Sequence, residues 1–221
     1  QQWLFGNYAE AFNAQPFGLY LYNSLFIGIV STVTVLFTAS LAAYSLARVN
    51  IRFKKLVLIL VLTVSLLPPI TLLNPIYQMM SNVGLLNTHI GLALVLSAVE
   101  MPTAIWLLAS FFQAIPCELE ESAMLDGASV LRCFVQVVMP LVTPGVVTVS
   151  ILTFVNAWNN YIFAVVLNQK QSARTVAIAL TMFETETYTP WHVISAAAVI
   201  VSLPLIVGVL LMQKHIIGGM L

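Results

Sequence analysis

Two groups of residues in this 221-residue chain have the types and spacing that chemistry or recognition needs. The first is acidic: Glu118, Glu120, Glu121 and Asp126, four of the chain's eight acidic residues, share the stretch ELEESAMLDGAS. The second is polar and mostly neutral: Asn156, Trp158, Asn159 and Asn160 lie together, and Glu100 stands alone upstream, all in apolar surroundings. Amides both donate and accept hydrogen bonds, and an indole can lay its face on the apolar side of a sugar ring while its N–H donates once. That chemistry fits a neutral, hydroxylated solute, with helix-to-helix packing as the competing reading for each of the four. Glu100 either bonds a sugar hydroxyl or is protonated and satisfied by a neighbouring helix, and the second reading is preferred. Covalent catalysis would need paired groups at one depth. No H-E-x-x-H and no pair of membrane-embedded aspartates occurs, Asp126 being the only aspartate, and no Ser/His pair suggests itself.

The surroundings decide what positions these groups. Hydrophobic residues make up 60% of the chain and charged ones 7%, against about a quarter charged in soluble domains. The chain therefore belongs in a lipid bilayer. Its net charge is zero and it has no basic run, which sets nucleic acid aside as a partner. Cys117 and Cys133, with no cluster of His or Cys around them, suggest neither a disulfide framework nor a zinc site.

A helix needs about 20 mainly apolar residues to cross the hydrocarbon, where no water satisfies the backbone. Five stretches qualify: Leu19 to Ala47; Leu56 to about Gln78, interrupted by Pro68, Pro69 and Pro75; Ile90 to Gln113; Met139 to Leu167; and Val193 to Gln213. If the first runs from outside to inside, the inner segments hold Arg48, Arg52, Lys54, Lys55, Arg132 and Lys214, and the outer ones only Lys170 and Arg174. That division follows the positive-inside rule and makes the acidic stretch a cytoplasmic loop. It also places residues 1–18 outside without an initiator Met or a signal region to carry them there, which predicts at least one preceding span. The end, IIGGML, likewise reads as cut. No fixed-period repeat or low-complexity linker divides the chain, so residues 1–221 are read as one membrane domain with a loop at about 114–138.

The loop itself reads as helix, sharp turn, helix. Pro116 suits a helix start, and the glutamates then occupy the first turns, where the helix dipole favours anions. Gly127 closes that helix after Asp126, and Ser129 caps a second one. In the second helix Leu131, Phe134, Val135 and Val138 recur on one face, with Arg132 and Gln136 opposite. A bare connection between membrane helices needs only about 2 to 8 residues. On these grounds alone, a docking device and a solvated loop both remain open.

The string from Glu121 through Asp126, Gly127 and Ala128, followed by Phe134, Pro140 and Pro144, resembles the EAA motif of ABC-importer permeases, in the carbohydrate-uptake branch related to the second maltose-transporter permease. Three further stretches are similar to that family: NSLFIGIVSTVTVLFTASLAAYSLAR, LLPPITLLNPIYQMMSNVGLLNTHIGL and FVNAWNN. The likeness covers nearly the whole chain. It departs at Ser122, where the motif has Ala, and in lacking a glycine-rich basic tail beyond Leu221.

The resemblance implies an all-α, polytopic transmembrane bundle of the type I importer fold, whose loop is a coupling helix seated on a separate ATP-hydrolysing subunit. Glu121, Asp126, Gly127 and Ala128 are the coupling positions it carries over. It implies a second permease subunit, two ATP-binding subunits and an external solute-binding protein as partners, in a bacterial or archaeal plasma membrane. The chain has no G-x-x-x-x-G-K-[ST] loop, so no cofactor is expected on it, and ATP and Mg are expected on the partner. The implied function is import of a sugar or related neutral polyhydroxylated solute. Glycerol phosphate uptake is the alternative within the family, and an intramembrane enzyme, a passive channel or a scaffold are the alternatives outside it. Glu100, Asn156, Trp158, Asn159 and Asn160 are the expected solute pathway.

Overall fold

The computed structural model describes residues 6–49, 52–183 and 189–217, with side chains described as far as residue 210. Every extended element among them is helical: α1 (Gly6–Ala14), α2 (Phe17–Arg48), α3 (Lys54–Ser65), α4 (Pro69–Asn82), α5 (His89–Ala114), α6 (Glu118–Leu125), α7 (Val130–Cys133), α8 (Met139–Leu141), α9 (Thr143–Asn159), α10 (Ile162–Leu167), α11 (Val176–Thr181) and α12 (Trp191–Ile217). A π turn, Phe134–Val138, joins α7 to α8.

α2 is the spine of the bundle and packs along both α5 and α9. Small residues allow this, because in lipid the attraction between helices comes from close packing and a few interhelical hydrogen bonds. Ser31 Oγ donates to the Ala93 carbonyl at 3.1 Å across the α2–α5 contact, and Ser97 Oγ donates to the same carbonyl at 2.7 Å. Toward α9 the approach is also close: a Cβ on Gly28 would sit 2.7 Å from the Phe154 ring. One buried cluster runs through Val35, Ala39, Leu108 and Phe112 down to Phe134 and Val138, so the loop shares a core with the spans.

Against the five expected spans, the described residues hold three straight ones and two sharply bent helix pairs. Three helices are long and apolar enough to cross a bilayer unaided: α2, α5 and α12 over Trp191–Leu210. The count reaches five when each of two bent pairs is one span. α3 and α4 meet at 89°, and each is too short to cross alone, at about 18 and 21 Å. The cause is Pro68–Pro69: Pro68 adopts ψ 125°, as a residue before proline must when it leaves the helical region, and Pro69 then starts a new helix. The segment Val130–Leu141 meets α9 at 77°. Pro140 has no N–H to donate, and the ladder slips just before it, Met139 donating five residues back to the Phe134 carbonyl.

The expected cationic sets lie at opposite ends of α2. Lys54 Nζ donates to the Ala47 carbonyl at 3.1 Å, at the end where the acidic loop sits. At the other end the Asn23 amide donates to the carbonyls of Ser172 and Arg174 at 3.0 and 2.8 Å, and Ser24 Oγ accepts from the Val176 N–H at 2.9 Å. Lys214, counted with the inner set, has its side chain outside the described residues.

Candidate functional site

The acidic stretch folds as an elbow. α6 begins at Glu118, two residues after Pro116, and its first turn carries Glu118, Glu120 and Glu121. It closes as the sequence predicts. Gly127 takes φ +89°, its N–H donates to the Met124 carbonyl, and the Ala128 N–H donates to the Ala123 carbonyl, both at 3.0 Å. These two bonds make a Schellman turn, which a residue with a Cβ enters at a cost. Ser129 then caps α7, its Oγ accepting from the Arg132 N–H at 3.3 Å. Gly127→Val is therefore expected to cost about 1–2 kcal/mol and lower the thermal transition of the purified chain, with Gly127→Asn close to the parent, because Asn tolerates the left-handed region. Equal transitions for both variants would remove the turn from the account.

Glu121 and Asp126 are exposed, as are Met124 and Leu125, the latter at 89%. The Glu121 and Asp126 side chains have no hydrogen-bond or ion-pair partner among the described residues. The elbow thus presents carboxylates beside apolar side chains, a combination suited to a protein surface that is basic at its rim and apolar within. Glu120, its neighbour in sequence, does the opposite: it is buried and turned onto Arg48 and Tyr44. Sequence reasoning grouped it with the dipole-favoured acids. Only the roughly 100° turn per residue between Glu120 and Glu121 hinted that they face different neighbours.

The apolar face predicted for the second helix needs correction. Phe134 and Val138 are buried, but Leu131 and Val135 are exposed and Cys133 is buried instead. The buried side is set by Cys133 and Phe134, the last residue of α7 and the first of the π turn, so the face that meets the core lies between the one drawn through Leu131 and Val135 and its neighbour. The opposite face is as expected, with Arg132 Nε donating to Gln136 Oε1 at 2.8 Å.

The polar cluster divides. Asn156 Nδ2 donates to Glu100 Oε2 at 3.0 Å, joining α9 to α5 across 56 residues of sequence, so Glu100 is met by a neighbouring helix as preferred above. Asn159 is exposed on the adjacent turn, its amide donating to the Val155 carbonyl. Asn160 is half-buried and its Oδ1 accepts from the Phe163 N–H at 3.1 Å, holding the start of α10. Trp158 is turned away from this group, 1% exposed, within the cluster of Phe17, Tyr20, Val176 and Ala197.

One expected span is corrected too. The expected span Met139 to Leu167 is not continuous: α9 ends at Asn159, Asn160 takes an extended ψ of 110°, and α10 starts afresh. Trp158, Asn159 and Asn160 therefore lie at a helix end. Of the five expected pathway residues, the structure gathers Glu100, Asn156 and Asn159 on one open flank.

Residues 13–220 match the family described as binding-protein-dependent transport system inner membrane component. The sulfoquinovosyl glycerol transport system permease protein SmoH of Agrobacterium fabrum is 37% identical over 97% of this chain and 75% of its own length. The trehalose transport system permease protein SugB of Mycobacterium tuberculosis is 35% identical over 98% of this chain and 80% of its own. Among solved structures, a chain of a bacterial ABC transporter involved in the import of the acidic polysaccharide alginate superposes with a TM-score of 0.81 at 23% identity, covering 96% of this chain and 79% of that one.

Proposed function

The chain belongs to the family of binding-protein-dependent transport system inner membrane components, a permease subunit of the carbohydrate-uptake branch of ABC importers, and on that premise we propose how it moves its cargo and what that cargo is. It is a multi-pass membrane protein that works with other components of the importer and contributes no covalent chemistry of its own. Residues 1–221 act as one permease domain. The elbow faces the cytoplasm and seats on a separate ATP-hydrolysing subunit through Glu121, Asp126, Gly127 and Ala128. The complete assembly has this chain, a second permease subunit, two ATP-binding subunits that hold ATP and Mg, and an external solute-binding protein. Closure of the ATP-binding pair draws the elbows together, and the spans turn from inward-open to outward-open.

The observation that carries this reading is the elbow's contrast of faces: ordered, capped and rooted in the core, yet with Glu121, Asp126 and Leu125 uncovered. A loop with no partner has no reason to hold carboxylates and large apolar groups together in a fixed frame.

The cargo is a sugar or related neutral polyhydroxylated solute. Glu100 is the only ionisable group in the middle of a described span, and it is met there by an amide, so the flank of Glu100, Asn156 and Asn159 offers hydroxyl-matching donors and acceptors without a cation to hold an anion. The test is uptake into proteoliposomes holding the complete transporter, with trehalose, melibiose and glycerol 3-phosphate as labelled probes. Neutral sugars are expected to enter, and Asn156→Leu to lower that uptake about tenfold, as for loss of one hydrogen bond of about 1.4 kcal/mol. Preference for glycerol 3-phosphate would overturn the neutral-solute reading, and unchanged uptake by Asn156→Leu would assign the pair to helix packing.

A further inference from the structure

The elbow is tied to its surroundings unevenly. α6 packs its backbone mainly on α7 and the π turn that follow it, whereas its link to α2 runs through side chains. Arg48, the last residue of α2, pairs through Nε with Glu120 Oε1, and Tyr44 Oη donates to Glu120 Oε2 at 2.6 Å. The same guanidinium donates from Nη2 to the Ile115 carbonyl at 3.1 Å, just beyond the end of α5. Both charged side chains are nearly covered, 13% exposed for Arg48 and 7% for Glu120. The Tyr44 ring packs on Phe134 and Phe112, with centroids 4.8 and 5.7 Å away.

A covered ion pair is a weak source of net stability, because desolvation opposes the attraction; its better-supported use is to fix the register of one element against another. Here it fixes α6 against α2. The rigid fork of Arg suits this, reaching a carboxylate and a carbonyl at once, which a Lys ammonium does as a single point charge. Removing the pair would leave the elbow's own scaffold in place, since the Schellman turn, the Ser129 cap and the buried Phe134 and Val138 do not involve Arg48.

We propose that Arg48 and Glu120 are positioning residues that carry displacement of the elbow into α2, so that a pull applied at Glu121 and Asp126 turns the first long span and not α6 alone. The proposal rests on the coupling role given above to the elbow. Without the clamp, the elbow would follow the ATP-binding subunit while α2 lagged behind.

The test uses the complete transporter in nanodiscs, with spin labels carried on unnatural amino acids at Phe37 and Leu119, both exposed, so that Cys117 and Cys133 stay in place. The probe is ADP–vanadate. In the parent, the distance between the labels is expected to be the same with and without it, because α2 and α6 move together. In Glu120→Gln, the ATP-binding subunit should copurify as in the parent, but ADP–vanadate should shift or broaden the distance by about 5 Å, one helical turn. Arg48→Lys, which keeps the charge and loses the fork, should fall between the two. An unchanged distance in Glu120→Gln overturns the proposal. If Glu120→Gln does not assemble, Tyr44→Phe decides, since it removes one hydroxyl and keeps the ring: a smaller shift in the same sense supports the clamp, and none overturns it. Failure of the coupling role itself looks different, for then the parent chain does not retain an ATP-binding subunit even before nucleotide is added.

Discussion

Glu121→Lys is expected to abolish solute uptake while the chain still inserts and folds. The side chain is exposed and makes no bond to the described residues, so its reversal removes nothing from the fold itself. At an interface the sign change is far larger than a simple loss, because an attractive contact becomes a repulsive one. Close interfacial charge pairs are worth about 1.5–7 kcal/mol, and a loss of about 3 kcal/mol already weakens binding more than a hundredfold. The measurement is copurification of the ATP-binding subunit with the membrane complex, together with uptake. Normal transport by this variant would remove the coupling role from Glu121.

Trp158→Ala is expected to act through stability and not through solute contact. The indole is 1% exposed, packed on Phe154 with ring centroids 5.7 Å apart and enclosed by residues of α1, α2, α11 and α12. Truncation of a buried aromatic costs about 3–5 kcal/mol, a large part of the 5–15 kcal/mol that holds a typical protein folded. Size-exclusion profile and thermal transition should therefore collapse together, whereas Asn159→Leu, at an exposed position, should leave both near the parent. A Trp158→Ala chain that kept its thermal transition and lost uptake would return the indole to the solute pathway.

The contrast between Trp158 and Asn156 shows how far residue types carry. Composition and span length are sums over many residues, and the membrane placement, the helical class and the three straight crossings all followed from them. The turn at Gly127 and the cap at Ser129 were legible because each depends on one residue's backbone freedom or one side-chain oxygen within reach along the chain. What was not legible depended on direction. Trp158 and Asn156 are two residues apart, so on a helix they point to different sides, and only the neighbours say which side is open. The same holds for Glu120 against Glu121: the partner of Glu120 is Arg48, 72 residues away, and no spacing reveals it.

Prolines set the other boundary of what could be read. Pro68 and Pro69 marked an interruption, yet the size of the bend, 89°, follows from where the two pieces find packing and not from the prolines alone. Pro140 shows a subtler effect. The ladder ahead of its missing N–H runs through a π turn, and the face drawn at regular spacing through Leu131 and Val135 does not match the buried set Cys133, Phe134 and Val138.

The hold that Asn23 and Ser24 keep on residues 172–176 has a consequence at a distance. A rod fastened at one tip can tilt freely at the other, but α2 is fastened near both tips, at Asn23 and Arg48, about 38 Å apart along the axis. On the coupling role proposed for the elbow, leverage applied at the Arg48 end is expected to reappear at the Asn23 end as a swing of the segment that bears Lys170 and Arg174.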